Sequence, residues 1–238
     1  MKISKMIALG MFGGGGAAAP LALGAVSWWD ASDLSTLFQL SNGTTPASAD
    51  GDRVGYMADK INGTYTPVQA TAGNRLTLKL AIKNGKSVLR SATGQSLATA
   101  APIVAGMAYT LFMAFKVTSG SLPWYNGSSG ANGYGLLYDA NYNLLFGGAA
   151  GKTDGARSAV AEVVVTSHTS GASLFYVNGV AKSLTNAATN PVIPPTVATR
   201  LGTDVVMDFY ECFLLDRAAT AAEVALGTAY LSAKWAIP

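Results

Sequence analysis

The run Tyr109-Thr110-Leu111-Phe112-Met113-Ala114-Phe115-Lys116-Val117 constrains this chain more than any other feature. It is apolar almost throughout, so a strand built from it must be covered on both faces. The rest of the chain supplies shorter strands to do so. Residues 54–59 read as one that ends in the turn 60–63, and 87–91 as another. Residues 135–138 and 143–146 form a hairpin around 139–142, and 159–166, 173–177 and 205–215 are further strands. Asn178-Gly179 is the strongest hairpin signal, because both central positions of a type I′ turn need positive φ. Residues 41–53, rich in Asn, Gly, Thr, Ser and Asp, read as loop. One segment reads as a helix: Thr220 caps it, Glu223 completes a capping box, and Val224, Tyr230, Leu231 and Trp235 share a face. Many short strands with one terminal helix predict an all-β sandwich.

Composition bounds the function. A chain of 238 residues with 50% hydrophobic residues has material for a substantial core. Its 12% charged content lies below the usual quarter, and this pairing of low charge with high apolar content is unlike a disordered chain. The net charge of +3 comes from scattered lysines and arginines, so no run tracks a phosphate backbone and no nucleic-acid partner is expected. The single cysteine, Cys212, sits in an apolar run and reads as a buried hydrophobe. The single histidine, His168, lies in the polar stretch 166–171 and reads as a solvent-exposed loop residue; no Gly-x-Ser-x-Gly elbow accompanies it. One Cys and one His exclude zinc sites of the Cys/His type. Asp50 with Asp52 and Asp30 with Asp33 are the close carboxylate groups, too few oxygens for a hard cation, so no metal or cofactor is expected.

Residues 1–25 stand apart from the body, 26–238. Lys2 and Lys5 precede an apolar run, then Gly13 to Gly16, three alanines, Pro20 and small residues. A secretory signal shares this outline, but four glycines weaken the helix of its apolar middle. The reading preferred is an extended arm that docks on a partner subunit through Met6, Ile7, Leu9, Met11 and Phe12. The glycines and Pro20 interrupt the segment too early for a membrane span.

The body resembles a known family. Trp29-Asp30-Ala31-Ser32-Asp33 with Thr36-Leu37-Phe38, then Gly51-Asp52-Arg53-Val54 with Asp59-Lys60, and finally Glu211, Asp216-Arg217, Glu223, Tyr230-Leu231 and Lys234-Trp235 follow the order found in concanavalin A-like (laminin-G-like) domains of bacteriophage structural proteins. Met57 stands where an aromatic is usual, and the turn 60–63 is one glycine short. The resemblance implies a concanavalin A-like jelly-roll β-sandwich with one short C-terminal helix and an extended N-terminal arm. It also implies a virion structural protein, decorating a capsid or associated with a tail or fibre. Other virion subunits would be its partners through the arm, in a multi-copy assembly, with cell-surface glycans as a second partner class. The alternative is a secreted bacterial carbohydrate-binding module with residues 1–25 as its signal.

Two chemistries suit this fold. Sugar binding needs an aromatic face with amides around it, and the loop 123–134 offers Trp124, Tyr125, Asn126, Asn132 and Tyr134, with Trp124 and Tyr125 at its tip; the competing reading, which is preferred, is that the aromatics cover the core edge and the amides build turns. Residues 139–143 offer the same mixture. Glycoside hydrolysis needs two carboxylates facing one cleft. The best pair, Asp208 and Glu211, lies three residues apart and points to opposite faces of a regular strand. The expectation is therefore a protein that is not an enzyme, with Glu211 as a hydrogen-bonding or ion-pair residue.

Overall fold

The computed structural model describes residues 19–103, 108–127, 133–138, 141–146, 149–156, 160–169, 172–185 and 198–238. A single helical turn, α1 (Ala19–Ala22), leads into β1 (Ser27–Asp30), β2 (Leu37–Phe38), β3 (Arg53–Val54), β4 (Tyr56–Met57), β5 (Leu76–Lys83), β6 (Lys86–Arg90) and β7 (Leu97–Ala98). Then come the long β8 (Tyr109–Gly127), followed by β9 (Gly133–Tyr138), β10 (Asn141–Phe146), β11 (Ala149–Ala156), β12 (Glu162–Thr169), β13 (Ala172–Val177), β14 (Val180–Lys182) and β15 (Leu184–Thr185). A second long strand, β16 (Thr199–Leu215), precedes the helix α2 (Ala221–Trp235).

The two long strands organise the sandwich. They pair antiparallel from Thr110 opposite Leu215 to Asn126 opposite Thr199. Strands of that length twist, and register shifts on both bend them further. Each half then serves a different part of the sheet. The first half of β8 pairs with β12, which leads to β13 and β14. The second half pairs with β9, which leads to β10, β11 and β15. Strands β1, β6 and β7 line up along β16. The result is the all-β sandwich with one C-terminal helix.

The apolar run in β8 is explained by two cores. Leu111, Met113 and Phe115 enter the inner core, with Trp29, Trp124, Phe175 and Phe209. Phe112 and Ala114 point the other way, into a second core with Trp28, Phe213, Leu231 and Trp235. Alternation along the strand assigns the faces, and α2 covers the outer one. Burial of each large apolar side chain contributes about 1.5–3 kcal/mol. The helix starts as the sequence predicts: the Thr220 hydroxyl accepts from the Glu223 N–H, and the Glu223 carboxylate accepts from the Thr220 N–H. Its Gly227 lies so close to β8 that a Cβ there would stand 2.3 Å from the Phe112 ring.

Three local expectations change. Residues 54–59 split into two short strands at Gly55, where a Cβ would stand 2.6 Å from the Gln39 carbonyl oxygen. Residues 123–127 and 133–134, expected in a loop, are strand; pairing of Tyr125 with Arg200 and Trp124 with Leu201 overrides their local turn character. The segment before residue 26 includes α1, with Pro20 in its first turn, where its missing N–H costs nothing. Leu23 and Ala25 enter the second core, and the Arg217 guanidinium donates to the Leu23 carbonyl. This part of the arm thus packs on its own sandwich. Met6, Ile7, Leu9, Met11 and Phe12 lie outside the described residues. The Asn178-Gly179 turn forms as predicted, with φ of 49° and 78°.

Candidate functional site

A bulge in β16 decides where the polar site forms. Phe209 pairs with Phe115 and Glu211 with Ala114, leaving Tyr210 as an extra residue. Tyr210 and Glu211 therefore both leave on the face that α2 covers, while Phe209 and Cys212 on either side turn inward. This corrects the expectation that Asp208 and Glu211 point to opposite faces. Plain alternation separates residues three apart, and the inserted residue brings them back to one side. Asp208 is taken by Arg90 through bonds of 2.6 and 2.9 Å.

Glu211 has no exposed surface and accepts four hydrogen bonds. The Trp28 indole N–H (2.7 Å) and the Tyr230 hydroxyl (2.7 Å) bond Oε1; the Trp235 indole N–H (2.8 Å) and the Lys234 ammonium (2.7 Å) reach Oε2. Four donors around two oxygens suit a carboxylate. Burial, reinforced by Asp30, pushes the Glu211 carboxyl above its ordinary range against the pull of Lys234 and Tyr230. Strand β1 supplies the next members, because Asp30 stands opposite Glu211 in register. Trp28 and Asp30, two residues apart, share the outer face, and Trp29 between them enters the inner core.

The charges form a relay. Lys234 also bonds Asp30 at 2.8 Å; Lys60 bonds Asp30 at 3.2 Å and Asp33 at 2.7 Å. Burial alone would raise the Asp30 carboxyl, but Lys234, Ser32 and Lys60 outweigh it and hold it below its ordinary value. Burial would likewise lower the Lys60 ammonium, and Asp33 and Asp30 hold it above its ordinary value. The Lys60 ammonium also sits 4.2 Å above the centre of the Trp28 ring. Above this relay opens a cleft of about 370 Å³ lined by Trp28, Asp30, Ser32, Asp33, Lys60, Lys86 and Lys234. Its lining mixes acceptors and donors: carboxylates and a hydroxyl accept or share hydrogens, and ammoniums donate.

The residues predicted for sugar binding are placed differently from one another. Trp124 lies on β8, 1% exposed, with its ring 6.2 Å from that of Tyr109, and is not presented at a loop tip. Tyr125 and Asn126 follow on β8, in register with Gly135 and Tyr134 of β9. Asn132 lies outside the described residues. His168 is also corrected. It is 2% exposed on β12, its Nδ1 is 2.6 Å from the Ser173 hydroxyl, and burial lowers its pKa to about 4. Polar neighbours gave it a loop-like sequence, yet β12 pairs on both sides there. Asp50 bonds Lys79 and the Leu80 N–H, and Asp52 bonds the Ser48 and Ala49 N–H groups.

Asp30, Lys60, Glu211, Tyr230, Lys234 and Trp235 all fall in the motifs that carry the family resemblance, but nothing in their spacing marks that they converge. The signal was the recurrence of Trp, Asp, Lys and Glu in the motifs at 29–38, 51–60 and 211–235.

No protein-family model matches the chain, and comparison with curated proteins gives no match. Solved structures do share its fold. A Trypanosoma rangeli sialidase in complex with 2,3-difluorosialic acid aligns with TM-score 0.61 and 19% identity, over 94% of this chain and 35% of that one. A GH54 α-L-arabinofuranosidase soaked with a cyclic sulfate inhibitor aligns with TM-score 0.62 and 13% identity, over 93% and 65%. Domain 4 of a GH43 extracellular arabinanase from Geobacillus stearothermophilus, in complex with arabinotriose, aligns with TM-score 0.50 and 17% identity, over 85% and 98%. The chain spans about a third of the length of the sialidase chains. At these identities the likeness shows the fold. The structural neighbours are carbohydrate-active proteins, and they overturn the expectation of a protein outside enzymology, since sialidase, arabinofuranosidase and arabinanase are all glycoside hydrolases.

Proposed function

We propose that this chain is a carbohydrate-active β-sandwich of the kind glycoside hydrolases carry, and that the cleft above the Asp30 relay holds the glycan. The cleft itself carries this reading. Asp33 and Ser32 offer acceptors for sugar hydroxyls at its rim, and three lysines offer donors. The neighbour spanning a single domain, described in complex with arabinotriose, supports the reading at the level of fold.

The setting proposed is a phage particle, with Met6, Ile7, Leu9, Met11 and Phe12 of the arm tying many copies to other virion subunits; it rests on the ordered motifs of the body. Secretion with residues 1–25 as signal is the alternative. Intact mass of the natural protein decides between them: an uncut chain in purified particles fits the first, and a cut chain in culture supernatant fits the second.

The experiment for the glycan reading is an array of bacterial and plant glycans probed with the full chain and with Asp33→Ala. Specific binding that falls about tenfold in the variant, the worth of one good hydrogen-bonding carboxylate, is expected. An empty array, or a variant that binds unchanged, would overturn it.

A further inference from the structure

Among the described residues, one ammonium that lines the cleft has no carboxylate of its own. Asp30 and Asp33 are held by Lys60, and Asp30 and Glu211 by Lys234. Lys86 also lines the cleft, and among the described residues no carboxylate lies within ion-pair distance of its ammonium. Directly opposite it in register stands Lys83, whose ammonium donates to the Ala236 carbonyl just past the end of α2. Paired residues on neighbouring strands share a face, and like charges there are unfavourable. The hairpin tip is fixed in that position, because the Asn84 amide donates to the Lys234 carbonyl. The fold thus leaves Lys86 facing the open cleft with a second lysine, Lys83, as its strand partner, while Lys60 and Lys234 are held by the relay carboxylates.

We infer that the cleft takes an anionic sugar, whose carboxylate or sulfate is seated against Lys86 while its hydroxyls meet Asp33 and Ser32. This rests on the glycan reading above and narrows it to one chemical class. An anion there neutralises the Lys83–Lys86 pair and makes charge-assisted hydrogen bonds. A neutral sugar leaves the lysine pair uncompensated. The cleft, at about 370 Å³, is within the size range of small-ligand sites.

Calorimetric titration of the full chain tests this with matched ligands: trigalacturonate against its methyl ester, and lactose 3′-sulfate against lactose. At least one anion should bind about tenfold more tightly than its neutral partner, and the difference should shrink as salt is raised. The arm that shows it identifies the anion. Lys86→Ala should abolish the preference while Tm stays level or rises, since a like-charge pair has been removed. Lys182→Ala, on β14, should keep the preference. Equal binding of acid and neutral forms, a preference that survives Lys86→Ala, or a fall in Tm of several degrees in that variant would overturn the inference and leave the glycan reading standing. Absence of binding to these ligands and to every glycan on the array would overturn both.

Discussion

Glu211→Gln tests the joint between helix and sheet. The carboxylate gathers donors from β1 (Trp28) and from α2 (Tyr230, Lys234 and Trp235) at 2.7–2.8 Å. Glutamine keeps one acceptor oxygen and turns an amide NH₂ toward groups that are themselves donors. It also leaves Lys234 with Asp30 as its remaining carboxylate. Breaking one partner of a buried ion pair costs about 3–5 kcal/mol. The loss expected from equilibrium urea unfolding is in that range, with an unchanged dependence on denaturant. Tyr230→Phe deletes a single hydroxyl and should cost about 1–2 kcal/mol, which keeps the test readable if the glutamine variant fails to fold. Adding Lys234→Met to Glu211→Gln should cost less than the two separately, because each change removes what the other leaves unpaired. A loss below about 1 kcal/mol for Glu211→Gln would refute the reasoning, since it would mean that the donors are satisfied without the charge.

Three other outcomes follow. Gly227→Ala improves helix propensity by about 1 kcal/mol but drives a Cβ into Phe112, and unfolding should show a net loss of about 1–3 kcal/mol. His168 is held neutral, with a pKa near 4 when folded against 6.5 ordinarily, so the unfolded chain gains its proton first as pH falls. Its contribution is full above pH 6.5 and is lost toward pH 4, and unfolding of His168→Gln across that window should be flatter by up to about 3 kcal/mol. Burial pushes the Cys212 thiol well above its ordinary range, so native protein should resist alkylation at pH 8 and react once unfolded, as read by mass spectrometry.

Much of the fold is legible in the sequence where local signals agree with global ones. The run 109–117 demanded cover on both faces and received two cores; Thr220 with Glu223 marked the helix start; Asn178-Gly179 marked its turn. Failures arose where pairing overrode local character. Trp124 looked like a loop tip because glycines and asparagines follow it, yet its partner Leu201 draws it into a strand. His168 looked exposed among Ser and Thr, residues that suit turns and strands equally. The site was hidden for a different reason. Glu211 faces Trp28 because one residue is inserted at Tyr210, and a bulge leaves no mark in the periodicity of a single chain.

Tryptophan indole signals give the most direct reading of whether the proposed glycan enters the cleft. The chain has four tryptophans, of which Trp28 lines the cleft while Trp29 and Trp124 lie in the inner core. Indole N–H resonances, assigned with single Trp→Phe variants, should be followed while a glycan found on the array is titrated into the full chain. Glycan in the cleft should shift the Trp28 signal with saturation and leave those of Trp29 and Trp124 in place. A saturating shift at Trp124 with none at Trp28 would contradict this and would move the site to the strands around β8 and β9.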